Sequence, residues 1–119
     1  MNSKKLEKKI VIVCGGKGKR MGKITKTKPK PLIKVGNKTI IEHKISYYKS
    51  QGINKFIFCT GYKANLIKSF LRKKLPGAFF NNAGLNVGIL GRIFAIKEHI
   101  TDDTIISYGD TLAKINFKD

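Results

Sequence analysis

A short apolar run that ends at two glycines constrains the fold of this chain more than any other feature. The run extends from Ile10 to Cys14 and consists mainly of β-branched residues, which is typical of a buried strand in a parallel sheet. Gly15 and Gly16 follow at once, and a strongly basic loop comes after them. Backbone amides can converge on one point where such a strand ends, so the segment favours binding of a polyanion such as a nucleoside triphosphate.

The rest of the chain alternates between helix and strand patterns. Apolar residues recur at helical spacing in some segments, and short apolar runs separate these segments. The predicted helices cover 40–48, 66–71 and 89–100, the further predicted strands cover 55–60, 78–81 and 104–108, and 15–38 is predicted to be loop. This alternation predicts an α/β fold, a Rossmann-like and mostly parallel sheet flanked by helices.

Length and composition limit the class of protein. With 119 residues, of which 41% are hydrophobic, the chain is expected to form one domain over 1–119 with a real core. No apolar run reaches the length of a membrane span, and the basic lead at 1–9 lacks the apolar stretch of a secretory signal. We therefore expect a cytoplasmic protein without a membrane partner. Cys14 and Cys59 end apolar runs without CxxC spacing, which predicts small buried core residues in a reducing compartment.

The charge is high and unevenly distributed. The formal net charge is +18, and thirteen of the 25 basic residues lie within the first 38 positions. Such a field attracts phosphates of any kind, including those of nucleic acid. Only three of the basic residues are arginine. For the lysines outside the loop, a general preference for lysine on the solvated surface therefore competes with phosphate binding as the explanation of the charge.

Three features of the sequence favour phosphate chemistry at one edge of the sheet. The glycine loop carries Arg20, whose planar guanidinium suits a phosphate group. Lys30 stands between two prolines, which predicts a stiff, extended segment that can aim the lysine at little entropic cost. Asp110 follows the last predicted strand and could offset the basic charge directly or hold Mg²⁺. Each feature alone is also compatible with an ordinary surface turn, so the prediction depends on their order.

Two better-known glycine motifs do not fit this loop. It lacks the GxxxxGK followed by Ser or Thr of the P-loop nucleotide hydrolases. Gly16, Gly18 and Gly22 give the spacing GxGxxxG instead of GxGxxG, and the second predicted strand ends without the acidic residue that would hold a ribose. Neither an ATPase nor a dehydrogenase is favoured.

Four segments, in this order, resemble the sugar-phosphate nucleotidylyltransferases, and most closely the glucose-1-phosphate cytidylyltransferase branch. They are GGKGKRM, KPKPL, GINKFIFCTGYKANLIKSFL and ISYGD, and the similarity runs from about Ile10 to Phe117. The resemblance implies a truncated nucleotide-diphospho-sugar transferase-like domain. It also implies a reaction that joins a nucleoside triphosphate, with CTP favoured, to a sugar 1-phosphate with Mg²⁺ and releases pyrophosphate.

The resemblance also implies roles for individual residues. The residues implied to bind the nucleotide are Gly15, Gly16, Gly18, Arg20, Lys30 and, as a weaker match, Arg92. The residues implied to be catalytic are Arg20, Lys30 and Asp110, and Asp110 is also the implied metal ligand. Lys19 stands where the family usually has threonine, which leaves the contacts at that position open.

The length of the chain leaves further alternatives open. The resemblance implies that family members continue well beyond the position of Asp110, so we expect an N-terminal part that binds a nucleotide and is inactive alone. An in-frame continuation, a second copy or a complementing chain would complete it. The competing hypothesis is a non-catalytic basic module that binds nucleotides or nucleic acid. That hypothesis explains the charge but not the strand-then-glycine order, the proline-flanked lysine or Asp110, so nucleic acid is the less favoured partner.

Overall fold

The computed structural model describes residues 8–15, 28–85, 87–101 and 103–108. In chain order the elements are β1 (Lys9–Cys14), a 3-10 turn (Lys30–Leu32), β2 (Lys34–Val35), β3 (Lys38–Thr39), α1 (Ile40–Ser50), β4 (Lys55–Thr60), α2 (Ala64–Lys74), β5 (Phe79–Asn82), α3 (Ile89–Ala95), a second 3-10 turn (Lys97–His99) and β6 (Thr104–Tyr108). None of the described helices combines the length and apolar character needed to cross a bilayer.

The main sheet has four parallel strands in the order β5-β4-β1-β6. β1 is one of the two inner strands, and its Lys9 is in register with Lys55 on one side and with Thr104 on the other. The chain moves outward from β1 through β4 to β5, and then returns to add β6 on the far side of β1. The order of the strands therefore reverses beside β1, which is where ligands bind in open α/β sheets. The predicted Rossmann-like parallel sheet is confirmed.

Helices cover the two faces of the sheet unequally. On the first face, α1 and α2 pack against alternate residues of β1 and β4, including Ile10, Ile12 and Phe58. On the second face, Val11 and other alternate residues pack against the Ile96 region that follows α3. The alternation of side chains along a strand explains this division, because the central strands are buried on both faces.

The two cysteines illustrate the division. Cys14 belongs to the core of the first face and Cys59 to the core of the second, and both are buried free thiols. Their prediction as small core residues is confirmed. Because the sheet separates them, they cannot form a disulfide with each other without rearranging the strands.

The helix predicted over 89–100 is shorter in the structure. Its α-helical part ends at Ala95, and Lys97–His99 forms a separate 3-10 turn. Ile96 breaks the helix with backbone angles of φ −117° and ψ 24°, yet it remains buried against the sheet. A 3-10 turn repeats every three residues, so it continues the apolar spacing that the sequence pattern attributed to one helix.

A capping box fixes the start of α1. The Thr39 hydroxyl accepts from the backbone N–H of Glu42 at 3.1 Å, and Glu42 accepts from the backbone N–H of Thr39 at 2.8 Å. This second bond is the main reason why the pKa of Glu42 lies below its ordinary value, and Lys74, 3.1 Å away, acts in the same direction. The box anchors the helix that covers the first face of the sheet.

Candidate functional site

The carboxyl ends of β1 and β4 lie side by side at one edge of the sheet. Cys14 is in register with Thr60, and the next residues are Gly15 and Gly61. The backbone N–H of Tyr62 donates to the carbonyl oxygen of Gly15 at 3.0 Å. The first glycine of the basic loop is therefore tied to the turn after the neighbouring strand.

A buried arginine joins these two strand ends. Arg92 lies on α3, beneath the second face, and only 3% of it is exposed. Its Nη1 donates to the carbonyl oxygen of Thr60 at 2.9 Å, and its Nη2 donates to that of Gly15 at 3.3 Å. In the described part of the chain no carboxylate forms an ion pair with it. Hydrogen bonds from a charged donor are stronger than neutral ones, so this side chain clamps β1 to β4 where the glycine loop begins.

The two glycines at the strand ends make room for this guanidinium. A Cβ atom on Gly15 would lie 2.4 Å from Cζ of Arg92, and a Cβ atom on Gly61 would lie 2.4 Å from its Nη1. Neither glycine has a positive φ angle, so backbone conformation does not demand glycine at these positions. Glycine is needed at both positions because a side chain there would clash with the buried guanidinium. The sequence had suggested a different reason, namely a close approach of the backbone to phosphate.

The thiol of Cys59 supports the base of the same cluster. Its Sγ donates to the backbone carbonyl of Arg92 at 3.7 Å. Burial is the main reason why the pKa of Cys59 is raised, and the positive charge of Arg92 opposes this shift. The thiol is therefore neutral at physiological pH and acts as a packing group and weak donor beneath α3.

The turn that carries Lys30 differs from the extended segment predicted for it. Pro29 is extended, with φ −70° and ψ 149°, but Lys30–Leu32 forms a 3-10 turn. The prediction of an extended Lys30 was therefore wrong, because the fixed φ of Pro31 also suits the first turn of a helix. Both prolines are buried and the lysine is half-buried. Its position is thus held by packed neighbours, and within the described ranges no hydrogen bond or ion pair engages its ammonium group.

A second buried cation near this edge was missed in the sequence. Lys44 on α1 is only 8% exposed, and its Nζ donates to the Ser107 hydroxyl at 2.9 Å. Ser107 is the penultimate residue of β6 and is in register with Ile12 of β1. Lys44 therefore links α1 to β6 on the side of β1 where the strand order reverses. The available signal was a lysine within the apolar stripe of a helix, three residues after Ile41.

The structure brings together only part of the predicted site. Gly15 and Arg92 are in contact, whereas Lys30 lies in a separate turn before β2 and forms no hydrogen bond with either of them. Gly16, Gly18, Arg20 and Asp110 lie outside the described residues. No cluster of three His, Cys, Asp or Glu side chains that could hold a metal occurs within the described ranges.

The family of the chain follows from a match over most of its length. The sequence profile described as "Nucleotidyl transferase" matches residues 9–117. The chain belongs to this family. The match includes both strands clamped by Arg92, the proline turn and Asp110, and it confirms the resemblance to the sugar-phosphate nucleotidylyltransferases.

The similar proteins are named for different substrates. The chain is 34% identical to the probable glucose-1-phosphate cytidylyltransferase of Bacillus subtilis, with 91% of this chain and 52% of the relative covered. It is 31% identical to the D-glycero-alpha-D-manno-heptose 1-phosphate guanylyltransferase of Campylobacter jejuni, covering 89% and 49%. The solved structure of the CTP:phosphocholine cytidylyltransferase of Streptococcus pneumoniae superposes with a TM-score of 0.79 at 26% identity, covering 92% and 47%. The chain thus spans about half the length of these relatives.

Proposed function

We propose that this chain provides the nucleotide-binding part of an enzyme that transfers a nucleotidyl group from a nucleoside triphosphate to a sugar 1-phosphate and releases pyrophosphate. The observation that supports this most directly is the clamp of Arg92 on the carbonyl oxygens of Thr60 and Gly15. This clamp fixes the first residue of a glycine-rich basic loop at the carboxyl edge of a parallel sheet, beside the point where the strand order reverses.

The proposed reaction is an in-line displacement at phosphorus. A phosphate oxygen of the acceptor attacks the α-phosphorus, the bond to the bridging oxygen breaks, and pyrophosphate leaves with the electron pair. Because the attacking oxygen is already an anion, the site needs no general base. Its tasks are to align the two substrates and to neutralise the negative charge that develops on the leaving group.

The residues of this chain divide those tasks. The amides of Gly15, Gly16 and Gly18 would approach the phosphates, and Arg20 and Lys30 would stabilise charge on the leaving pyrophosphate. Arg92 is buried and already committed to two carbonyl oxygens, so we propose that it holds the strand ends in place and does not itself touch the nucleotide.

We propose that Asp110 is the residue of this chain that makes the carboxyl edge fit for a divalent cation. The described side chains near the strand ends are cationic, namely Lys44 and Arg92, and Asp110 follows Tyr108 of β6 by two residues in the sequence. Carboxylate and phosphate oxygens are the ligands that Mg²⁺ prefers. When bound, the ion would polarise the α-phosphate, and we propose that Asp110 supplies its protein ligand.

We propose CTP as the favoured nucleotide, supported by the identity to the cytidylyltransferase of Bacillus subtilis. The guanylyltransferase and the phosphocholine enzyme among the relatives differ from it in base or acceptor. A panel of CTP, UTP, GTP and dTTP, each titrated by calorimetry with Mg²⁺, tests the proposal. Tighter binding of any other nucleotide than CTP would overturn the choice of base but leave the reaction class intact.

The metal role of Asp110 gives the decisive experiment. We expect Asp110→Asn to abolish Mg²⁺-dependent CTP binding, while Asp103→Asn, at an exposed aspartate before β6, leaves it unchanged. Thermal unfolding provides the readout, since ligand at a hundredfold excess over its Kd stabilises the fold by about 2.7 kcal/mol. Unchanged Mg²⁺-dependent stabilisation in Asp110→Asn would remove this residue from the site.

The same assay separates the enzyme from a simple basic binding module. The Mg²⁺-dependent part of the stabilisation by CTP should persist at moderate salt and disappear when EDTA removes the metal. Binding through bulk charge alone should instead weaken steeply with salt and be matched by any polyanion. If single-stranded DNA stabilises the protein as well as CTP and Mg²⁺ do at equal phosphate concentration, the binding module is the better description.

The acceptor side of the reaction needs more polypeptide than the described fold provides. At β6, Ile106 and Tyr108 are 44% and 47% exposed, and among the described strands β6 pairs only with β1. We propose that further polypeptide, from a continuation of this chain, a second copy or a complementing chain, packs there and completes the sugar 1-phosphate site. Turnover that appears only when such polypeptide is present, and nucleotide binding without it, is the expected result.

A further inference from the structure

A cavity of about 510 Å³ opens at the amino-terminal edge of the sheet, opposite the carboxyl edge. The first residues of three strands line it, at Lys9, Lys55 and Phe79, together with segments that follow the helices. The six residues of β1 span about 20 Å at the usual rise of a strand. One ligand therefore cannot occupy both this cavity and the carboxyl edge, and the proposed function makes no use of the cavity.

The wall of this cavity is strongly cationic. Lys9, Lys49, Lys55 and Lys74 all line it, with His99 beside them, and no acidic residue of the described chain does. Lys9 donates to the carbonyl oxygen of His99 at 2.9 Å, and Lys74 pairs at the rim with a glutamate of α1. These contacts use only part of the donor capacity of each ammonium group, which carries three N–H bonds.

Two of these lysines stand side by side. Lys9 and Lys55 are the first residues of adjacent parallel strands and are in register, so their side chains leave the same face of the sheet. Like charges in such a pair repel each other. Lys49 and Lys74 also complement the negative carboxyl ends of α1 and α2. An anion bound in the cavity would be attracted by all of these ammonium groups.

The same cavity also offers an aromatic platform. Phe79 is 41% exposed, and its ring lies 4.5 Å from the imidazole of His99 with a tilt of 34°. Phe56 and Leu75 contribute buried apolar surface to the lining. An exposed ring beside clustered cations combines stacking with phosphate attraction, which is how proteins hold a ligand that carries both a flat ring and a phosphate.

We infer that this amino-edge cavity binds a nucleotide, with its phosphates among Lys9, Lys49 and Lys55 and its base against Phe79. The site is separate from the carboxyl edge and needs no metal ligand from the protein. Its volume is within the usual range for small-molecule sites.

The test uses the whole chain with Arg20→Ala and EDTA, so that Mg²⁺-dependent binding at the carboxyl edge does not contribute. Titration with ATP by calorimetry should then still show one binding event. Absence of any binding under these conditions would overturn the inference while leaving the proposed function untouched. Conversely, loss of Mg²⁺-dependent CTP binding in Asp110→Asn bears only on the carboxyl edge.

Matched charge variants locate the binding. Lys49→Gln with Lys55→Gln, both at exposed positions, should weaken ATP binding about tenfold or more. Lys34→Gln with Lys38→Gln removes the same charge from the exposed β2–β3 hairpin and should change the Kd by less than about twofold. Equal losses in the two double variants would mean that net charge alone is responsible, and the site would be rejected.

A third variant tests the platform. Phe79→Ala should weaken ATP binding about tenfold but change the binding of inorganic triphosphate by less than about twofold, because only ATP has a base to stack. Circular dichroism and thermal unfolding verify that the variant is folded. If ATP and inorganic triphosphate lose affinity equally, the base does not contact Phe79 and the nucleotide assignment is wrong. Should Phe79→Ala not fold, the comparison of the two lysine pairs decides alone.

Discussion

The clamp formed by Arg92 predicts strong coupling between this residue and Gly61. A methyl group at position 61 would lie 2.4 Å from Nη1 and 2.9 Å from Cζ of Arg92, well inside contact distance. The guanidinium is the end of a long side chain, but it is buried and bonded to Thr60 at 2.9 Å. It therefore cannot move aside without losing that hydrogen bond.

The magnitude follows from these contacts. Losing a hydrogen bond from a charged donor costs about 1.5–3 kcal/mol, and overpacking a buried site costs about 1–3 kcal/mol. We expect Gly61→Ala to lower the free energy of unfolding by about 3 kcal/mol. Arg92→Ala should cost about 3 kcal/mol as well, because the Thr60 carbonyl loses its charged donor, whereas Gly15 keeps its bond from Tyr62.

The double variant distinguishes this explanation from general fragility. With the guanidinium gone, the new methyl group occupies vacated space at a position whose φ angle is not positive, so Gly61→Ala should cost less than about 0.5 kcal/mol in the Arg92→Ala background. Urea unfolding followed by circular dichroism gives all four free energies, provided that the m-value stays constant.

A control and a refuting result complete the cycle. Gly77→Ala introduces a Cβ with no atom within 4 Å and no positive φ, so it should change the free energy of unfolding by less than about 1 kcal/mol. If Gly61→Ala costs as much without Arg92 as with it, the guanidinium is not what excludes a side chain at position 61.

Other predictions concern single features of the fold. Glu42→Gln should lower stability by about 1 kcal/mol at neutral pH, because a neutral amide replaces the carboxylate that accepts from the backbone N–H of Thr39 and pairs with Lys74. The pKa of Glu42 is lowered in the folded state, so the charge of Glu42 stabilises the fold at pH values above the ordinary carboxylate pKa. Urea unfolding should therefore show that the difference in free energy of unfolding between Glu42→Gln and the unsubstituted protein vanishes as the pH falls through the folded pKa. Cys14 and Cys59 are buried and burial raises the pKa of the Cys59 thiol, so a thiol reagent at pH 8 should modify neither cysteine faster than the protein unfolds. Lys63 adopts φ 50° and ψ 42°, so Lys63→Asn should raise the free energy of unfolding by about 0.5–1 kcal/mol, and a decrease would contradict that reasoning.

Periodicity predicted most of the fold because the strands obey local rules. The strands 55–60 and 104–108 were placed at the bounds that the structure gives, and β1 differs by one residue. Short apolar runs between turn signals suffice for buried strands. The sequence pattern did not predict the β2–β3 hairpin. Each of its strands has only two residues, which is too short to show an alternation of apolar and polar side chains.

The candidate site was less predictable because its contacts join distant positions. Contacts among Gly15, Thr60 and Arg92 form only after three elements have folded. No local pattern predicts that the guanidinium of Arg92 fills the space that a side chain at Gly15 would need. Lys44 poses the same difficulty, since its partner Ser107 lies 63 positions further along the chain. The family resemblance pointed to Arg92 but did not indicate that its contacts are with backbone.

The central position of β1 has a consequence for synthesis of the chain. β1 leaves the ribosome first, but its partner on one side, β6, is the last of the described strands to be translated. At ordinary elongation speeds roughly 5–20 s separate the two. During that interval Val11 and its apolar neighbours can be shielded from water only by the nascent helices or by a chaperone. The yield of native protein in the cell should therefore depend on translation speed and on the supply of chaperones more strongly than the stability of the finished fold would suggest.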